Sequence, residues 1–204
     1  MLASAEMFGR RLSEAQHVMQ PALRLRDQAE ALAEYVDHGD TVLDVGCGTG
    51  HLSVYLRDMY GVKPTGIDLT DSRASEITLT EYSDFDGTSI PFPDKSFDHV
   101  VLSEVLHHSH DPVALAAQCR RVARRRIFVF EDMPDGVIGK AALYAHVHAF
   151  AFYRRYPYPP ARFDEYRQAL AWLATTAANV ARIPQPPEWL SVYPRVLFVY
   201  DLTT

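Results

Sequence analysis

Residues 41–50 of the chain read TVLDVGCGTG, and this segment establishes the architecture. Its first five residues form a short apolar run with β-branched members, which is typical of a buried strand. Glycines follow at every second position, and residues 51–57 then have the apolar spacing of a helix. The sequence therefore predicts a strand, a glycine turn and a helix, in that order.

The glycine turn is suited to hold a ligand. Glycine permits positive φ and has no Cβ, so a ligand can lie directly against the backbone. The helix that follows points its free N–H groups and the positive end of its dipole at the same place. This predicts a pocket for a flat or negatively charged ligand at the carboxyl end of the strand. The alternative is a tight strand–helix turn with no ligand.

An acid at the end of the next strand favours the ligand. Residues 66–69 read as a strand, and Asp68 lies roughly 20 residues beyond the glycines, as in nucleotide-binding units. A carboxylate can accept two ribose hydroxyl hydrogens at once, which few other side chains can do. The glycine turn and Asp68 together predict a site for a nucleoside.

These motifs resemble those of the class I S-adenosylmethionine-dependent methyltransferases, in particular the small ones that act on small molecules. Residues 42–50 match the first motif of that family at every defining position, and Asp68 falls on its ribose-binding acid. The resemblance covers residues 30–132 or so. It implies an α/β fold with a single Rossmann-like, doubly wound, mostly parallel seven-stranded sheet, an antiparallel C-terminal strand and added helices. It also implies S-adenosylmethionine as cofactor and S-adenosylhomocysteine as product.

The resemblance also assigns the cofactor contacts. In the family, an acid after the third strand faces the adenine amino group; residues 90–92 set the register that gives this role to Asp86, with Asp84 as the fallback. Gly87 can offer its N–H to the adenine ring, and Ser103 is placed at the methionine end of the cofactor. The residues expected at the cofactor are Asp44, Gly46, Cys47, Gly48, Asp68, Leu69, Asp86, Gly87 and Ser103.

Two histidines follow the fourth predicted strand, residues 99–103, where the methyl group would emerge. His107 and His108 are candidates for a general base, because histidine can take a proton near neutral pH. The alternative is that both imidazoles line the pocket or cap a turn. A divalent ion held by these histidines, His110 and the acids at 131–132 is a further alternative. The spacing matches no standard zinc signature, so we expect no metal.

Composition bounds the remaining possibilities. A chain of 204 residues that is 48% hydrophobic can bury one real core, so we expect a single methyltransferase domain over residues 1–204. Its expected parts are N-terminal helices (1–38), a cofactor-binding core (39–132), lid or substrate helices (133–182) and closing strands (183–204). The net charge of −6 argues against a nucleic-acid partner. Residues 1–10 lack a signal-peptide pattern, so we expect the cytoplasm.

Several segments depart from the family pattern or extend beyond it. Residues 76–82 alternate like a half-exposed strand, and the arginines at 124–126 read as a solvated helix end. Residues 139–156 are apolar and aromatic but too interrupted to span a bilayer; a lid or pocket wall is favoured over a membrane-surface helix or core. Residues 163–180 predict an amphipathic helix. Residues 189–193 and 195–201 predict the closing antiparallel pair.

The leading hypothesis is a methyltransferase that acts on a small, apolar or aromatic acceptor. One alternative is an enzyme that uses the same cofactor for cyclisation or charge stabilisation, and another is a non-catalytic partner subunit that binds it. A dinucleotide oxidoreductase is a weaker rival, because Asp44 and the segment around Asp86 argue against it. A homodimer and peripheral contact with a membrane stay open.

Overall fold

The computed structural model describes residues 23–73, 81–154, 163–185 and 194–203. Seven strands form one sheet with the order β3-β2-β1-β4-β5-β7-β6. The strands are β1 (Thr41–Val45), β2 (Lys63–Asp68), β3 (Tyr82–Asp84), β4 (Phe97–Ser103), β5 (Ala123–Asp132), β6 (Asn179–Pro184) and β7 (Arg195–Asp201).

Helices cover both faces of this sheet. Residues 23–31 form α1. The other elements are α2 (His51–Tyr60), a 3-10 turn (Leu106–His108), α3 (Pro112–Val122), α4 (Gly136–Arg154) and α5 (Phe163–Thr176). In the parts of the chain that the structure describes, no helix combines the length and the apolar character needed to cross a bilayer.

The strand order creates a crevice next to β1. Strands β1 to β5 run parallel, whereas β7 is antiparallel to both β5 and β6. The chain builds outward from β1 through β2 to β3, and then returns to the other side of β1 with β4 and β5. Ligands of such sheets bind where the order reverses, at the carboxyl ends of the strands. The predicted fold class is confirmed.

The central strands are apolar throughout because both of their faces are covered. Leu43 and Val45 pack in one buried cluster together with residues of α3 and α5. Val42, which is adjacent to Leu43 in sequence, packs on the opposite face with residues of α1 and α2. Side chains alternate across a strand, so a parallel strand buried on both sides needs a continuous apolar run. This explains why residues 41–45 were readable as a buried strand.

The predicted helix over residues 163–180 is wrong at its end. The helix stops at Thr176, and β6 begins at Asn179 and pairs with β7. The Ala178 N–H already donates to the Asp201 carbonyl at 2.7 Å, and the Asn179 side chain accepts from the Val180 N–H. β6 is therefore the second antiparallel partner of β7, besides β5, and the closing strands start at 179 rather than 183. The predicted strand over residues 189–193 lies outside the described residues.

The bounds of β3 and β5 also differ from those predicted. β3 starts at Tyr82, where the predicted strand ended; residues 74–80 lie outside the described part of the chain, as do residues 1–22 of the predicted N-terminal helices. The arginines at 124–126 belong to β5 and do not end a helix. They extend the strand beyond the core and form ion pairs there, for example between Arg125 and Asp40.

Candidate functional site

The turn after β1 folds over the end of β2. Gly46 and Gly48 have φ values of +69° and +52°, in the left-handed region that favours glycine. The N–H groups of Gly46 and Cys47 both donate to the Ile67 carbonyl, at 2.8 and 3.1 Å. We call this region, with Asp68 and Leu69, the glycine-turn edge.

Asp68 is held at this edge by backbone groups. Its Oδ2 accepts from the Gly48 N–H and its Oδ1 from the Leu69 N–H, both at 2.7 Å. A carboxylate has about four lone-pair sites, so each oxygen can accept a further hydroxyl hydrogen. The arrangement therefore presents a fixed acceptor pair beside bare backbone, which suits the two hydroxyls of a ribose.

Gly46 also marks a close approach between two loops. A Cβ added there would lie 2.7 Å from Cγ2 of Val105, in the loop after β4. The loops that follow β1 and β4 are thus in direct contact, and they narrow the crevice between the two strands. Only glycine fits at this position.

Two of the residues predicted at the cofactor lie behind the turn. Asp44 is buried within β1, where its Oδ2 accepts from the Ser53 hydroxyl of α2 at 2.7 Å. Burial raises the pKa of Asp44 to about 7. The Cys47 side chain is also buried, and burial raises the pKa of its thiol. Both side chains shape the turn from within the fold; direct contact with the cofactor stays a prediction for them.

The loop after β3 brings Asp86 to the same edge. Asp68 pairs in register with Asp84, and the Phe85 N–H donates to the Asp68 carbonyl. Asp86 Oδ1 accepts from the backbone N–H groups of residues 88 and 89, both at 2.7 Å. These backbone bonds lower the pKa of Asp86. Gly87 follows with φ +84°. Asp86 and Gly87 thus lie two and three residues beyond the strand partner of Asp68.

Helix α1 reaches the end of β4. The Ser103 hydroxyl donates to Oε1 of Gln28 at 2.7 Å. Gln28 is only 2% exposed, and among the described residues nothing accepts from its Nε2. Gln28 was not predicted from the sequence. Its contact with Ser103 depends on how α1 docks, and no local motif indicates that docking.

A second group of side chains lies at the carboxyl ends of β4 and β5. We call it the buried charge cluster; its members are Arg24, Glu104, His107, Glu131, Asp132 and Arg195. Of these, only His107 was predicted as a catalytic residue; Glu131 and Asp132 were considered as metal ligands or as contacts of the substrate or the cofactor amine. The others come from separate segments, so no spacing in the sequence connects them.

Glu104 is the centre of this cluster. It adopts φ +60°, uncommon for a residue with a side chain, and its carboxylate pairs with Arg24 and with Nε of Arg195, the latter at 2.9 Å. Burial alone would raise the pKa of Glu104, but the two guanidinium groups hold it below its ordinary value. Arg195 Nε also lies 3.3 Å from Asp132 Oδ1. Burial and the charge of Glu104 raise the pKa of Asp132 to about 6.

His107 forms a buried pair with Glu131. Its Nδ1 lies 2.5 Å from Glu131 Oε2, while Oε1 accepts from the Leu106 N–H at 2.8 Å. Burial would lower the pKa of His107, but the Glu131 carboxylate raises it above its ordinary value. The Glu131 carboxylate therefore favours the cationic form of His107.

His108 is a different kind of imidazole. Its ring centroid lies 4.2 Å from that of His107. Burial and the positive charge of His107 lower the pKa of His108 to about 2, so it is neutral and accepts a proton poorly. A base role for either histidine stays a prediction, and these electrostatics support the alternative that the imidazoles line the pocket. Within the described ranges, no group of three or more histidines, cysteines or acids is arranged to hold a metal ion.

Comparison with known proteins points to one family. A model of the methyltransferase domain matches residues 43–129. The 2-methyl-6-phytyl-1,4-hydroquinone methyltransferase of Synechocystis sp. is 38% identical over 93 residues, which are 42% of this chain and 29% of that protein. The 27-O-demethylrifamycin SV methyltransferase of Amycolatopsis mediterranei is 32% identical over 98 residues, covering 42% and 35% of the two chains. The chain thus spans about a third of the length of these relatives.

The fold has solved counterparts as well. The geranyl diphosphate C-methyltransferase of Streptomyces coelicolor A3(2), solved with S-adenosyl-L-homocysteine, superposes with a TM-score of 0.62 at 16% identity. The match covers 86% of this chain and 78% of that one. The glycine motif, the strand order and the family match agree, and they confirm the resemblance drawn from the motifs. Residues 43–129 match the methyltransferase domain, and this match, the motifs and the strand order support membership of the class I, S-adenosylmethionine-dependent family.

Proposed function

We propose that this chain is an S-adenosylmethionine-dependent methyltransferase that acts on a small, apolar or aromatic molecule. The observation that carries the proposal is the geometry of Asp68. Backbone N–H groups of Gly48 and Leu69 fix both of its oxygens at the carboxyl end of β2, beside the glycine turn.

The described residues fit the cofactor at each of its ends. Asp68 would hold the ribose hydroxyls, and Asp86 with Gly87 would face the adenine ring. At the other end, Ser103 and Gln28 are joined by a hydrogen bond, and the buried Nε2 of Gln28 is a donor suited to a carboxylate. When bound, the cofactor supplies a methyl group activated by a sulfonium cation.

The protein then contributes chiefly alignment. Transfer of a methyl group in line needs no covalent enzyme intermediate, so holding the acceptor in a water-poor cleft supplies most of the rate enhancement. The buried charge cluster forms a rigid wall at the ends of β4 and β5. Glu131 favours the protonated form of His107, and the neutral His108 beside it can orient an acceptor by a hydrogen bond.

The comparisons support this activity over the alternatives, since the matched relatives are methyltransferases named for a hydroquinone and a rifamycin substrate. Cyclisation and a non-catalytic partner role have no comparable observation in their favour. We also propose that the chain forms a single domain and lies in the cytoplasm. Cys47 and Cys119 are both free thiols, as is usual in a reducing compartment. A homodimer is kept as an outcome to be tested.

Calorimetric titration of the full chain with S-adenosylmethionine tests the proposal. Asp68→Ala removes two charge-assisted hydrogen bonds to the ribose and should weaken binding by roughly a hundredfold or more. Asp71→Ala is the matched control, because Asp71 lies in the same loop but is exposed and paired with Arg73. Incubation with hydroquinones and other phenols should then release S-adenosylhomocysteine. Unchanged affinity in Asp68→Ala, or no heat with the wild-type chain, would overturn the assignment.

A further inference from the structure

Helix α4 is attached to the fold by a narrow stripe. Among the α4 residues whose side chains the structure describes, those buried against the core are Gly139, Leu143 and Val147, which are spaced by four and share one face. Leu143 and Val147 belong to the main buried cluster. Most of the remaining described surface of the helix faces outward.

The outward face of α4 is apolar. Val137 is 84% exposed, Ile138 80%, Tyr144 64% and Phe152 88%. Six large hydrophobic side chains are exposed among the described residues, and four of them lie on this face. The other two, Leu23 and Met59, are less exposed. Alanines at 141, 145 and 149 and His148 complete the face, and all four are exposed. A surface helix in water normally has polar residues on its outward face. The outward face of α4 is apolar instead, so it is not suited to contact with water.

The charges of α4 fit one kind of environment. Residues 136–154 contain no aspartate or glutamate, although the whole chain has a net charge of −6. Lys140 falls outside the apolar face by helix spacing, and its Nζ lies 4.8 Å from the centroid of the Phe163 ring. Apolar side chains on one face with basic residues outside it are typical of helices that lie in a membrane interface.

The chemistry of the face favours a lipid surface as its partner. The helix carries no acid that anionic headgroups would repel, and burial of its apolar side chains in the acyl region needs no shape-matched partner. We propose that the outward face of α4 lies in the headgroup and acyl boundary of a membrane, with the helix axis parallel to the surface.

The inner side of α4 packs against the 3-10 turn that carries His107 and His108. If the proposed function holds, the acceptor is therefore a lipid-soluble molecule that reaches these histidines from the membrane side. This consequence rests on the proposed function, whereas the docking surface does not.

Flotation of the full chain with vesicles tests the surface. The probes are vesicles of phosphatidylcholine alone and of phosphatidylcholine with phosphatidylglycerol. We expect the wild-type chain to float with both, more strongly with the anionic mixture. The triple variant Val137→Gln, Ile138→Gln, Phe152→Gln should lower the bound fraction about tenfold or more. Met59→Gln is the control, since it removes an exposed apolar side chain from α2 instead.

Several results would overturn the proposal. One is a wild-type chain that stays in the unbound fraction, and another is a triple variant that floats as well as wild type. A wild-type dimer that the triple variant converts to a monomer in sedimentation velocity, with no flotation, would assign the face to a second copy. Circular dichroism checks that the triple variant is folded. Titration with S-adenosylmethionine on the same preparations is scored separately, because loss of cofactor binding would overturn the function and not the surface.

Discussion

The glycine-turn edge and the buried charge cluster are built by opposite means. At the edge, backbone N–H groups bind one carboxylate, and the partners Gly48 and Asp68 are 20 residues apart in sequence. In the cluster, side chains bind side chains, and Arg24 and Glu104 are 80 residues apart. The edge needs glycines and one acid in a fixed local order, whereas the cluster needs distant segments to dock correctly.

This difference predicts different responses to substitution. Loss of a side chain at the edge should weaken binding while leaving most of the stability intact, because the backbone supplies the scaffold. Loss of a charge in the cluster should destabilise the fold, because it removes a counter-charge from partners that lie in the interior.

Glu104→Ala should have the largest effect. It leaves Arg195 buried, and Arg24 partly buried, without their shared carboxylate, which typically costs about 3–5 kcal/mol in the free energy of unfolding. Urea denaturation measures the loss. Asp58→Ala is the control: its pair with Arg57 is in open water, with Asp58 58% exposed, and should matter by less than about 1 kcal/mol. Equal losses in the two variants would contradict the expectation that buried charge pairs matter more than exposed ones.

Asp44→Asn should change how stability depends on pH. Burial raises the folded pKa of Asp44 from 3.8 to about 7, so the folded state favours its protonated form. The stability from this group is fully present below the unfolded pKa and is lost progressively as pH rises to the folded pKa, by about 3 kcal/mol between pH 5 and pH 8. Asparagine can still accept from Ser53 but does not titrate, so the variant should lack this loss. Parallel pH profiles of wild type and variant would show that Asp44 does not titrate in this range.

Gly46→Ala should destabilise the edge through its backbone and its new methyl group. A positive φ and a 2.7 Å contact with Val105 together cost about 2–3 kcal/mol. Gly39→Ala is the control, since Gly39 has φ +91° but no atom within 4 Å of an added Cβ. The double variant with Val105→Ala should recover the steric part. If the double variant is no more stable than Gly46→Ala, the contact with Val105 is not the cause.

Glu131→Gln should have the smallest effect on stability and a distinct effect on titration. The glutamine amide keeps an acceptor for the Leu106 N–H, so the expected loss is about 1–2 kcal/mol. The raised pKa of His107 stabilises the fold at low pH, and this contribution is lost as pH rises through the folded pKa. Removing the carboxylate leaves burial as the main influence, so the pKa of His107 should fall. An NMR titration of the His107 imidazole measures this pKa. An unchanged pKa would mean that Glu131 does not stabilise the protonated form of His107.

The same contrast explains what could be predicted from the sequence. Residues 41–45 and Asp68 were readable because strand burial and the glycine turn leave a local pattern. β6 was missed because the alanines at 177 and 178 continue the helical composition, and its strand character comes from pairing with β7. Gln28 and Arg195 were missed for the same physical reason: only tertiary docking gives them a role.

Helix α1 sets the size of the smallest working unit. Gln28 and Arg24 of α1 bind the neighbouring residues Ser103 and Glu104, where β4 ends. A shortened chain that begins after α1 would retain the whole segment that matches the family, residues 43–129, yet lose both of these contacts together. We therefore expect the family-matching segment alone to be less stable and to bind S-adenosylmethionine more weakly than a chain that keeps α1 and the last strand.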